Sequence, residues 1–99
     1  MEQDESSKGE NVLQTVLENE KVRVLKFEIK PGEKTKMHTH PHHLVCILTD
    51  QKLKLTDSDG NENELDVNFG QILYFEPTTH VVENIGKTES IGLVVELKQ

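Results

Sequence analysis

Gly32-Glu33-Lys34-Thr35-Lys36-Met37-His38-Thr39-His40 is the stretch on which the reading of this chain turns, and His80-Val81-Val82-Glu83-Asn84 is its counterpart further on. Two histidines one residue apart on a strand project to the same face, because strand side chains alternate with a period of two. A third, arriving from a distant strand, can complete a facial set of nitrogens around one ion. Imidazole is the commonest metal-binding side chain near neutral pH. Three protein ligands leave coordination positions free, which is the pattern of a catalytic site rather than a closed structural one. His38, His40 and His80 are therefore the candidate metal ligands. Neutral imidazoles suit iron, nickel, zinc and copper, whereas magnesium and calcium prefer oxygen.

Around these residues the chain reads as a succession of short β runs. Residues 12–20 fit a strand and hairpin. Val22 to Ile29 is a second run, stopped by Pro31-Gly32, and Lys34 to His40 a third, ended near Pro41. Leu44 to Thr49, Lys52 to Thr56, Glu62 to Val67, Gln71 to Phe75, His80 to Ile85 and Ile91 to Leu97 follow, with turn chemistry at Asp57-Ser58-Asp59-Gly60, Asn68-Phe69-Gly70 and Gly86-Lys87. Many short strands at this spacing predict an antiparallel sandwich or barrel. Leu44-Val45-Cys46-Ile47-Leu48 and Gly92-Leu93-Val94-Val95 are apolar at successive positions. A strand with one wet face should alternate, so one face lines the interior and the other packs on something else. A homodimer is the expectation.

The chain has 99 residues, of which 33% are hydrophobic. One domain with a modest core follows, and a bound ion or a partner subunit would add stability. Residues 1–11 are expected to be a flexible acidic tail and 12–99 the barrel domain. The net charge is −7 and no basic stripe occurs, which argues against nucleic acid as a partner. No apolar run is long enough to span a membrane, and the polar N-terminus lacks the apolar stretch of a secretory signal. Cys46 is the single cysteine, so no internal disulfide can form. A cytoplasmic location is the expectation.

The two motifs resemble those of the cupin family of small jelly-roll barrels. That family's first motif is Gly, five residues, His-x-His, three or four residues, Glu, and later Gly. Gly32, His38 and His40 match it. The second motif ends in His, three residues, Asn, matched by His80 and Asn84, with Gly70 as its opening glycine. The chain is also similar to small bacterial cupins labelled as β-alanine-degradation proteins. The resemblance implies an all-β double-stranded β-helix (the RmlC-like jelly roll) holding a divalent transition metal: iron, nickel or zinc. Three departures stand out. Leu44 occupies the place of the carboxylate ligand, Asp50 that of the closing glycine, and Pro77 that of a glycine before His80. Loss of the carboxylate leaves a neutral three-nitrogen set, the form used on iron by the cupin thiol dioxygenases and diketone-cleaving oxygenases.

Other residues complete the candidate site. His42 shares the parity of His38 and His40 and is the candidate fourth nitrogen if the strand runs unbroken through Pro41. His43 then faces outward or makes a supporting bond. Leu44, Cys46, Tyr74, Glu76 and Asn84 are candidates for the ligand pocket or for the residues that support the ligands, Asn84 by holding backbone. The function expected is a metal-dependent site for a small molecule, dioxygenase-like in chemistry. A non-catalytic binding module and a degenerate, metal-free dimeric module are the alternatives. Protonation should displace the ion below the ordinary histidine range, about 6.5.

Overall fold

The computed structural model describes residues 13–98, all in strands and connections, with no helix among them. Val12 and the 1–11 segment lie outside the described residues. Nine strands follow in order: β1 (Leu13–Glu18), β2 (Val22–Ile29), β3 (His38–His40), β4 (His43–Ile47), β5 (Gln51–Asp57), β6 (Glu62–Val67), β7 (Ile72–Phe75), β8 (Thr78–Asn84) and β9 (Ser90–Leu97). They form a five-stranded sheet, β1-β2-β9-β4-β7, and a four-stranded sheet, β3-β8-β5-β6, antiparallel throughout. This is the jelly-roll, double-stranded β-helix that the resemblance implied, and it is one of the antiparallel architectures the strand spacing predicted.

The strands differ most from the sequence reading around Pro41. Only His38–His40 of the third run is strand, preceded by a single bridge from Lys34 to Glu83. Proline cannot donate to a ladder, and the chain crosses from one sheet to the other between His40 and His43. The fourth strand accordingly starts at His43, not Leu44.

The inner faces are apolar. Leu25, Phe27, Ile29 and Val94 form the buried centre, with Leu13, Val45 and Val82 packed against it. Gly92 is required there by close approach. Phe27 stands beside it in the β2–β9 ladder, and a Cβ at position 92 would lie 2.4 Å from the Phe27 ring and 2.7 Å from the Cys46 carbonyl oxygen. The motif glycines Gly32 and Gly70 have φ of 85° and 93°, a left-handed conformation that glycine adopts without steric cost.

Asn84, fully buried, ties one end of the barrel. Its Nδ2 donates to the carbonyls of Ile29 and Thr88, both at 2.8 Å, and its Oδ1 accepts from Gly86 N–H at 2.8 Å. The motif asparagine thus ties the end of β2 to the β8–β9 connection and stands apart from the histidines.

The outer face of the five-stranded sheet carries an unbroken apolar row. Leu17 pairs with Val24, Val24 with Val95, Val95 with Leu44 and Leu44 with Tyr74. Tyr74 is 53% exposed, Leu17 50% and Ile72 63%. This row explains the two runs that are apolar on both faces.

Candidate metal centre

Period-two alternation puts His38 and His40 on one face of β3, and the antiparallel register sets His80 of β8 directly opposite His38. The three rings meet edge to face. Centroids of His38 and His40 are 4.7 Å apart, those of His38 and His80 4.8 Å, and those of His40 and His80 5.8 Å. Their ligand nitrogens all lie within 4.8 Å of one another. Two nitrogens about 2.1 Å from a shared ion are about 3.0–3.4 Å apart in a facial or tetrahedral set, so closing on an ion asks the most widely spaced pair to approach by about 1.4–1.8 Å.

Hydrogen bonds decide which nitrogens are free. His38 Nδ1–H donates to the Lys36 carbonyl at 2.8 Å, and His40 Nδ1–H donates to the Glu96 carboxylate. Both rings therefore keep the Nε2 lone pair. Tethering one ring nitrogen to a carbonyl or carboxylate is how ligating histidines are usually held in tautomer and orientation.

The electrostatics favour the neutral, ligating form. Burial lowers the pKa of His38, and it lowers those of His40 and His80 to about 3, with the neighbouring rings adding to the effect. The His40–Glu96 contact is thus a hydrogen bond from a neutral ring to a carboxyl group, not an ion pair. Burial pushes the Glu96 carboxyl above its ordinary value, and Arg23, 3.7 Å away, opposes that.

Glu96, which the sequence reading did not single out, and His43, expected to face outward or make a supporting bond, both stand at the cluster. Glu96 shares the inward parity of Gly92 and Val94 on β9, so a charge in register with a buried apolar stripe was the available signal. His43 is 1% exposed, its ring 4.7 Å from that of His40 and stacked on Phe75 at 5.2 Å. Its Nδ1–H donates to the Pro41 carbonyl at 2.7 Å.

The placement of the remaining candidates corrects the sequence reading. His42, the candidate fourth nitrogen, points away from the cluster, stacks on Tyr74 and shares a 2.5 Å hydrogen bond with its hydroxyl. The sheet crossing at Pro41 resets the alternation, so His43, Val45 and Ile47 face inward while Leu44 and Cys46 face outward. Tyr74 lies on that same outer face, and Glu76 is exposed beyond the end of β7. None of His42, Leu44, Cys46, Tyr74 and Glu76, nor Asn84, lines the cavity. The motif's longer spacing, four residues before the carboxylate, leads to Val45, which does.

Beside the three rings is a cavity of about 60 Å³, walled by Phe27, Ile47, Leu53, Leu65 and Phe75 among others. The donor set fits a divalent transition ion: neutral nitrogens, two with fixed tautomers, on rigid strands, next to a space for a further ligand.

No protein-family model and no curated protein matches this chain. Solved structures do. A cupin domain protein from Bordetella pertussis is similar over 89% of this chain and 93% of its own, with 26% identity and a TM-score of 0.81. An RmlC-like cupin family protein with a double-stranded β-helix fold from Methanocaldococcus jannaschii is similar over 88% and 79%, with 19% identity and a TM-score of 0.71. A Cupin 2 conserved barrel domain protein from Salinispora arenicola covers 87% and 74%, at 18% identity and a TM-score of 0.66. The fold is that of the cupin double-stranded β-helix.

Proposed function

We propose that this barrel binds one divalent transition metal, iron, nickel or zinc, through Nε2 of His38, Nε2 of His40 and a ring nitrogen of His80, and holds a small molecule beside it. The observation that carries the reading is the convergence of three ligand nitrogens within 4.8 Å, on two buried rings and one half-buried ring, two of them tethered through Nδ1. When bound, such an ion supplies a Lewis acid with open positions for water, oxygen or substrate. The chain's own contribution is positional. Lys36 O and Glu96 fix two tautomers, burial keeps the rings deprotonated, and the apolar wall excludes water. His43, with its Nδ1 proton committed to Pro41, offers Nε2 to a group that enters the cavity.

The test is metal analysis of protein purified without chelator and without a nickel column. One ion per chain, lost in His38→Ala and His80→Ala, supports the reading. Metal-free protein whose melting is unmoved by excess zinc or iron refutes it and favours a degenerate interaction module. Oxygen uptake with a panel of thiols and diketones then separates an oxygenase from a binding module.

We also propose a homodimer through the Leu17–Val24–Val95–Leu44–Tyr74 face, because contiguous exposed apolar patches mark association sites. Tyr74→Asp should yield monomer by sedimentation, and a wild-type monomer would refute this.

A further inference from the structure

Four of the five histidines stand on the wall of one cavity, and what else stands there limits what can enter. Apart from Thr35 and those histidines, the described wall is Leu, Ile, Val and Phe, with no Lys, Arg, Asp or Glu. Thr35 is the one other polar side chain, its hydroxyl accepting from Val82 N–H at 3.0 Å and keeping a single neutral donor. Glu96 is turned to His40 and Arg23 and is not on the wall. A bound ion would be the single full charge facing the interior.

We infer that the ligand of this cavity, given the proposed metal site, is a small molecule with one metal-binding head and an uncharged hydrocarbon body. The 60 Å³ of space corresponds to about four or five water-sized positions, so the body has about that many non-hydrogen atoms. Each methylene that enters should tighten binding about four-fold until the space is full. A second ionised group would be stripped of water with no counter-charge to meet it, and burying an unpaired charge carries a heavy penalty. Such a ligand should bind about 100-fold or more weakly than its hydrocarbon counterpart.

The experiment uses full-length protein loaded with cobalt(II) and alkyl hydroxamates that share one metal-binding head. Aceto-, propano- and butanohydroxamate supply the hydrocarbon series. β-Alanine hydroxamate carries an ammonium tail, and succinic monohydroxamate a carboxylate tail. Binding is read from the cobalt absorption bands and from the melting shift. The expected result is affinity rising along the alkyl series and falling by about two decades for both charged tails. If cobalt binds and is lost in His80→Ala, yet charged and hydrocarbon tails bind within a few-fold of each other, the cavity inference is overturned and the metal site stands. If the wild type takes up no cobalt, both are overturned. Leu65→Lys gives an independent readout, since Leu65 is a half-buried wall residue and lysine can keep its ammonium at the rim. It should selectively recover the carboxylate-tailed probe. Should that variant fail to fold, the wild-type series decides alone.

Discussion

Glu96→Ala removes the acceptor of His40 Nδ1–H and the partner of Arg23 in one step. The His40 donor is buried, and an unsatisfied buried donor costs about 1–3 kcal/mol. Arg23 is 44% exposed in its side chain, so its lost pairing adds less than about 1 kcal/mol. The metal-free fold should therefore weaken by about 1–3 kcal/mol. Removing an outer partner of a metal-bound histidine typically lowers affinity about 10–100-fold, because the ring is freed to rotate and to change tautomer. Glu96→Gln keeps an acceptor oxygen in the same place but not its charge, and a neutral acceptor is worth about 1 kcal/mol less. It should fall between wild type and Glu96→Ala in both quantities. Competition with a chromophoric chelator at pH 7.5 measures the first, and urea midpoints of metal-free protein the second. If Glu96→Ala binds zinc as tightly as wild type and unfolds at the same urea concentration, Glu96 does not orient His40.

Gly92→Ala should lower stability by about 1–3 kcal/mol or more, because its Cβ would meet the Cys46 carbonyl as well as the Phe27 ring; an unchanged urea midpoint would contradict the packing described. Val45→Glu places a carboxylate on the inward face of β4 and should tighten zinc binding about ten-fold, while Leu44→Glu, on the outer face, should leave it unchanged; chelator competition that ranks them the other way would reverse the assignment of faces. Metal-free protein should lose stability as pH falls below about 6.5, because the unfolded chain takes up protons on His40 and His80 that the native state, with values near 3, does not. The slope is about 1.4 kcal/mol per pH unit for each ring, partly offset from pH 4.5 upward by Glu96, whose raised pKa works in the opposite sense. Urea midpoints that stay flat from pH 7 to 5 would show that the rings are not buried as described.

The fold was legible because its signals are local. Period-two runs, turn residues and the His-x-His spacing each concern a few consecutive positions, and β2 and β6 run between the residues expected. Convergence of His80 on His38 was legible only through the family resemblance, since nothing nearby in the chain dictates that β3 pairs with β8. Two things were not legible, for one reason. The alternation carried through Pro41 assumes one continuous strand, whereas the chain changes sheets there, so His42, Leu44 and Cys46 were assigned to the inner face and the outward placement considered for His43 is reversed. Glu96 lies far along the chain and reaches His40 because β9 sits between β2 and β4, an adjacency no local pattern reveals. A carboxylate is still present beside the histidine cluster, on β9 against His40 rather than at the motif position that follows it in the chain.

Burial also changes how acid acts on the centre. An exposed imidazole with a pKa of about 6.5 is only about 3% neutral at pH 5, so three exposed ligands would lose most of their metal affinity there, which is the expectation from the sequence. In the barrel His40 and His80 are held near 3 and His38 is lowered too, so protons do not compete for the nitrogens until the solution is far more acidic. Stabilisation by a bound metal depends on the affinity of the native state and should persist at pH 5, even while the metal-free fold weakens. An equal melting shift at pH 5 and pH 8 is therefore compatible with histidine ligation. Glu96, moved upward, takes its proton before either His40 or His80. Between that carboxyl and these two rings, acid neutralises Glu96 first, which loosens the orientation of His40 before His40 or His80 is protonated.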